Sequence, residues 1–150
     1  MALDKATIRN LEITETLYEK KVQGSLLGIL DKTHTAMGSR KMRQWLREPL
    51  NNAAEINLRL DGVSELFSEI LARNNIKENL KHIYDFERLA GRIACGNANG
   101  KDMIALRNSI AVLPEIKSDL GTLNSEILRD IDSRISDLSE VYELIDSAIV

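Results

Sequence analysis

At 150 residues, with 43% hydrophobic and 29% charged side chains, the chain has the composition of a water-facing globular domain with a real core. A net charge of −3 excludes nucleic-acid recognition by bulk charge alone, and no apolar run approaches the ~20 residues of a bilayer span. The N-terminal MALDKATIRN lacks the apolar core of a secretion signal, and the lone Cys95 excludes an intrachain disulfide, so a reducing cytoplasmic setting is expected. With His34 and His82, Cys95 gives no metal-ligand spacing.

In chain order, residues 6–14 combine β-branched side chains with apolar Ile8, Leu11 and Ile13, which predicts a short strand or extended entry. The rest reads as helix, since only two prolines and eight glycines interrupt a chain rich in helix formers. Ser25, after the turn residue Gly24, can cap a short helix through Leu30. Thr35 can cap a second, running to about Glu48, with Met42, Trp45 and Leu46 as its apolar set and Pro49 ending it. Trp45 is expected in the core. Asn52 opens a longer helix whose apolar face is expected to be Ile56, Leu60, Val63, Phe67, Ile70 and Leu71. Gly62 in its middle costs about 1 kcal/mol relative to Ala and implies a close helix contact. Ile76, Leu80 and Ile83 mark a further turn or two. Phe86, Leu89, Ala90 and Ile93 form the next stripe, and Met103, Leu106, Ile110 and Leu113 face one way up to Pro114.

The final third carries apolar residues at helical spacing from Ile116 to Ile149, and residues 115–150 hold 3 basic against 9 acidic side chains. That acidity reads as a solvated helix face. The stripe meets no cap, glycine or proline before residue 150, so a terminal helix is expected to run on beyond the chain. Ile135–Ile149 would then pack against a returning helix absent from it. The expected fold is mainly α, an irregular helical bundle with a short extended or β segment at the N-terminus.

The stretch GNANGKD, Gly96 to Asp102, approaches a phosphate-binding loop without reaching it. Three residues rather than four separate the glycines, and Asp102 stands where a Mg²⁺-binding hydroxyl is needed. A helix–helix turn is the better reading, with Asn97, Asn99 and Gly100 suited to left-handed backbone or capping. Arg40, Arg43 and Arg47 fall within one arc of the Thr35–Glu48 helix and could grip phosphates, although no aromatic platform accompanies them. Asp85, Glu87, Arg88 and Arg92 in YDFERLAGR read as a structural ion-pair network, with Asp85 able to reach Arg88 one turn on. Cys95 is expected to be a small buried side chain. No serine lies in a nucleophile-elbow setting and neither histidine has a triad context.

Together, LDKATIRNLEI, GSLLGILDKTHTAMGSRKMRQWLREPL, INLRLDGVSEL and IYDFERLAGRIACGNANGKDMIALRNSI closely resemble the core, or lever, domain of the MutS family of DNA mismatch-repair proteins. The resemblance covers nearly the whole chain. Its most telling parts are Leu30-Asp31 with Thr33, Met37-Gly38 with Arg40, Trp45-Leu46 with Pro49-Leu50, and Asp85 with Glu87-Arg88-Leu89, and Asp61 and Arg92 stand in the same motifs. Ile8 stands where the family commonly has a basic residue, and Asn99-Gly100-Lys101 replaces a commoner Pro-Arg or Ala-Arg.

The resemblance implies that residues 1–150 are the N-terminal part of the core domain, ending before the clamp insertion, with those motif residues in structural or interdomain roles. It implies a parent homodimer that encircles mismatched double-stranded DNA. ATP and Mg would bind elsewhere in the parent, leaving no catalytic residue, cofactor or metal here. Other domains of the same chain and a MutL-type repair protein are the implied partners, in the bacterial cytoplasm at the nucleoid and away from membranes. The implied role is a lever coupling ATPase to clamp. The alternative is direct DNA-phosphate contact through Arg40, Arg43 and Arg47.

Overall fold

The computed structural model describes residues 2–149, and every regular element among them is an α-helix, so the chain is mainly α. The chain divides into two compact units, one ending at Ile56 and the other beginning at Asn57.

In the first unit, residues 6–14 correct the expectation of a strand: they contribute to α1 (Lys5–Asn10) and the turn after it. Asp4 accepts hydrogen bonds from the Thr7 backbone N–H at 2.9 Å and the Thr7 hydroxyl at 2.8 Å. That cap outweighs the β preference of Thr7 and Ile8. Beyond α1 the chain turns through Glu12, whose φ of 48° is left-handed, and the Glu12 carboxylate accepts the Leu17 N–H at 2.6 Å. The backbone then pairs with the start of α2 (Leu26–Leu30), where the Leu26 and Leu27 N–H groups donate to the Glu12 and Ile13 carbonyls. Ile13, Ser25 and Leu27 are buried there. Ser25 caps α2 by accepting the Gly28 N–H, as its sequence position predicts. Gly28 leaves no room for a side chain, because a Cβ would collide with the Val22 carbonyl. Thr35 caps α3 (Ala36–Arg47), and the Leu3 N–H donates to the Arg47 carbonyl at its far end.

Asn52 begins α4 (Ala53–Ser68) by accepting the Ala54 N–H at 2.9 Å. The expected long helix breaks at Glu69, and α5 (Ile70–Leu80) follows, while Arg73 donates to the Leu66 and Phe67 carbonyls at the end of α4. The second unit continues with α6 (Phe86–Ala94), α7 (Gly100–Ala111), α8 (Leu113–Gly121), α9 (Glu126–Arg134) and α10 (Ser139–Ala148). Its core is Ala72, Ile116, Leu120, Leu123 and Leu128, with Leu66, Ile76, Leu80, Ile83, Ile127 and Ile135 packed around them. Helix α5 lies on α8 and α8 on α9, while α7 carries α6 and α10. Buried Ser109 on α7 accepts the Tyr84 N–H at 2.9 Å, fixing the turn into α6.

Two expectations are corrected here. The stripe assigned as the core face of α4–α5 points outward: Leu60, Val63, Phe67, Ile70 and Leu71 are 56–76% exposed. The buried side is instead Gly62, Leu66, Ala72 and Ile76, because small residues let α8 and α9 approach. The apolar spacing of the final third is carried by three helices, separated at residues 122–125 and 135–138. Ile145, expected to need a helix outside the chain, is buried on α7, where Arg107 and Asp146 form an ion pair at 2.8 Å. Residue 150 lies outside the described residues.

Gly62 meets the partner that its cost implied. A Cβ there would lie 2.5 Å from Ile127 Cγ2 on α9, whereas one at Gly91 in α6 would have nothing within 4 Å. Gly62→Leu is therefore expected to lower unfolding stability by about 1–3 kcal/mol through overpacking. Gly91→Ala is expected to raise it by up to about 1 kcal/mol through helix propensity. Urea denaturation of the two variants checks both signs.

Candidate functional site

Several of the polar residues singled out by sequence, Asp31, Thr33, Asp85 and Arg92 among them, sit at helix ends. In the first unit Asp31, just past α2, takes three donors: the Thr33 N–H at 3.1 Å, the Thr33 hydroxyl at 2.6 Å, and the Ser39 hydroxyl at 2.6 Å. The bonds from Ser39 and then Thr33, with a smaller contribution from the Arg43 charge, hold the Asp31 carboxyl below its ordinary value. Thr35 Oγ1 accepts the Gly38 N–H at 2.9 Å. Gly38 is needed for space: a Cβ would stand 3.0 Å from Thr35 Oγ1 and 3.1 Å from Thr33 Cβ. Asp31, Thr33, Thr35, Gly38 and Ser39 thus form one knot that sets the direction of α3.

Arg40, Arg43 and Arg47 are exposed along α3 at the spacing of one helix face. Trp45, expected in the core, is 40% exposed, and Pro49 follows the end of α3. The correction for Trp45 has a local cause, since α3 buries no residue fully. Asp61 is exposed on α4.

In the second unit, Asp85 does reach Arg88, but through the backbone: its carboxylate caps α6 by accepting the Arg88 N–H at 3.3 Å. Glu87 lies in the same first turn, where negative charge is favoured by the helix dipole. Arg92 turns forward, pairing with Asp102 at 3.0 Å and donating to the Asn97 carbonyl at 3.1 Å.

These contacts define GNANGKD. Gly96 takes the left-handed backbone with φ 67°, and Asn99 and Asp102 form a reciprocal capping box on α7, at 3.1 and 2.9 Å. The Asn99 and Asp102 N–H groups are held by side chains, those of Gly96 and Asn97 by backbone carbonyls, and Asp102 adds a carboxylate. The stretch is a capped turn. Cys95, expected to be buried, is exposed because it is the C-cap residue of α6.

Sequence reasoning missed Glu65. Its carboxylate accepts the N–H groups of Asn124 at 2.6 Å and Ser125 at 2.7 Å, and the nearby Ser125 side chain, then these two N–H groups, hold it below its ordinary value. A partner nearly 60 residues away leaves no local signal. A cavity of about 840 Å³ opens between the α7–α8 elbow and the α9–α10 link, with the Lys117–Asp132 pair on its wall. None of the charged residues singled out by sequence lines it, although the apolar Ile110, Leu113 and Ile135 do. Among the described residues, no three His, Cys, Asp or Glu side chains gather as metal ligands, and no helix is long and apolar enough to cross a membrane.

Residues 6–150 match the family described as MutS domain III. The chain is 49% identical over its full 150 residues to the DNA mismatch repair protein MutS of Alkaliphilus oremlandii, of which it covers 17%. It is 47% and 45% identical over 149 residues to the proteins of that name in Clostridium beijerinckii and Clostridium perfringens, covering 99% of this chain and 16% of each. The chain therefore spans about one-sixth the length of the curated relatives it matches.

The Asp31 knot carries a pH signature. A carboxyl with a lowered folded-state pKa contributes stability that is full well above its unfolded value, near 3.8, and lost as pH falls through the folded value. The stability gap between the natural chain and Asp31→Ala is expected to be constant near neutrality and to shrink below that unfolded value. Denaturant melts of both chains from neutral to strongly acid pH measure it.

Proposed function

We propose a coupling role for this chain, which belongs to the MutS family of DNA mismatch-repair proteins as their domain III. In this reading the parent protein acts as a dimer on mismatched double-stranded DNA, binds ATP and Mg in another part of its chain, and answers to a MutL-type partner in the bacterial cytoplasm. Domain III carries displacement between those parts and performs no catalysis.

One observation supports this reading most: several polar side chains of the family-like motifs are committed to helix ends. Asp31 with Thr33 and Ser39, Asp85 at α6, and Arg92 with Asp102 and Asn99 all hold a helix start or a turn in one position. Side chains so committed are poorly placed for acid–base chemistry and well placed for stiffness. Packed helices shift between discrete arrangements and do not deform continuously, so fixed ends favour transmission over dissipation. A helix the length of α4, 16 residues, carries a displacement over about 24 Å.

A second reading draws on the exposure of Arg40, Arg43 and Arg47 along one face of α3. Each phosphate contact would steepen the salt dependence of DNA binding by about one counterion. Arg43 also faces the Asp31 carboxylate, whose charge offsets part of its field.

The test uses the intact parent. Asp85→Ala removes the α6 cap, at a stability cost of about 1 kcal/mol. Nucleotide-stimulated release of a mismatched duplex is expected to fall about fivefold, the low end of typical allosteric coupling, with nucleotide-free affinity unchanged. Unchanged release would overturn the coupling role. Replacing all three arginines by Gln and titrating duplex at about 50 and 200 mM salt separates the second reading, which requires the salt slope to drop by about three.

A further inference from the structure

The start of α9 is capped from another helix. Ser125 occupies its N-cap position, yet the Ser125 side chain makes no cap hydrogen bond. A capping box would place Glu or Gln at the third helical position, which here is Leu128. Glu65 of α4 supplies the missing carboxylate: one oxygen takes the Asn124 N–H at 2.6 Å and the other the Ser125 N–H at 2.7 Å. Two oxygens on two consecutive N–H groups fix direction as well as distance. The negative charge also sits at the favourable end of the α9 dipole. Arg129 braces the arrangement by donating to Asn124 Oδ1 at 2.9 Å.

One turn earlier on the same face of α4, Gly62 meets Ile127, where a Cβ would lie 2.5 Å from Cγ2, and Leu128 at 3.7 Å. Gly62 is the one buried residue of α4, while Leu60, Val63 and Phe67 point outward. Within the second unit, α4 therefore meets α9 and the core over a narrow stretch from Gly62 to Leu66. The Glu65 fork is the polar contact that joins α4 to the start of α9 on this stretch.

We propose that Glu65 is a positioning residue: through the Asn124 and Ser125 N–H groups it locks α9, and with it the α5–α8–α9 core, to every displacement of α4. This rests on the coupling role proposed above and names the contact by which displacement passes from α4 into α9. The carboxyl, already ionised at neutral pH as an ordinary glutamate is, has its pKa lowered further by Ser125 and Asn124, so the lock stays closed there.

The experiment uses the intact parent, in a background with Cys95→Ser and other reactive cysteines removed. Glu65→Gln keeps the size but loses the charge and one of the two acceptors. Nucleotide-stimulated release of mismatched duplex is expected to fall about fivefold, with nucleotide-free affinity within about twofold. Glu65→Asp, which keeps the charge on a shorter stem, is the milder second variant should Glu65→Gln fold poorly, and is expected to show a smaller loss in the same direction. A covalent replacement for the lock follows from the geometry. In Gly62→Cys with Ile127→Cys the two Cβ atoms stand within about 4 Å, inside disulfide range. In the Glu65→Gln protein, the oxidised pair is expected to restore release and its reduction to abolish the restoration. Full stimulation in both Glu65 variants, or a fully formed disulfide that restores nothing, overturns the proposal. If the Glu65 variants are silent while Asp85→Ala uncouples, the positioning role falls and the coupling reading stands. Silence in all of these variants removes both.

Discussion

Every helix begins with backbone N–H groups that have no partner within it, and a chain built from short helices has many such beginnings. The helices here run from 5 to 16 residues, too short to be stable alone. Their ends must be held by something other than their own length. The polar chemistry of the chain answers that need. Asp4, Ser25, Thr35, Asn52, Asp85 and Asn99 each place a side-chain oxygen on an N–H at the start of the helix that follows them. Glu65 does the same for α9 from a distance.

That constraint explains why stretches that look chemical in sequence are architectural in space. GNANGKD has the glycines and lysine of a phosphate loop, but its Asn99 and Asp102 N–H groups are already bonded and its carboxylate is paired with Arg92. YDFERLAGR has two acids and two arginines, but one acid is a cap and one arginine leaves for the next turn. A domain III of a mismatch-repair protein that spends its polar groups in this way suits a mechanical task. The many small capping energies, about 1 kcal/mol each, add up to definite helix directions.

What was legible in the sequence was local. Caps at Ser25, Thr35, Asn52 and Asn99 can be read from a few neighbouring residues, and the structure places them there. The special packing of Gly62 was legible from its cost in mid-helix, although its partner Ile127 was not. The buried side of α4–α5 was illegible because apolar residues lie on both sides of it. Small Gly62 and Ala72 won over large Phe67 and Leu71 only because α8 and α9 come close there. At α1 the β-branched pattern suggested a strand, and a three-residue cap from Asp4 decided otherwise. Trp45 and Cys95 were assigned to the core by residue type, yet α3 buries no residue fully and Cys95 ends a helix. Glu65 had no local signature at all, since its partners are 59 and 60 residues away.

The claim that side chains pin the helix starts is most directly tested by amide hydrogen exchange resolved at Thr7, Gly38, Arg88, Asp102 and Ser125. These N–H groups lie at helix beginnings, where uncapped amides are open to water. The account predicts that they exchange on the slow scale of interior amides of the same helices. Exchange at the rates of an unstructured peptide, with the helix interiors still protected, would contradict it.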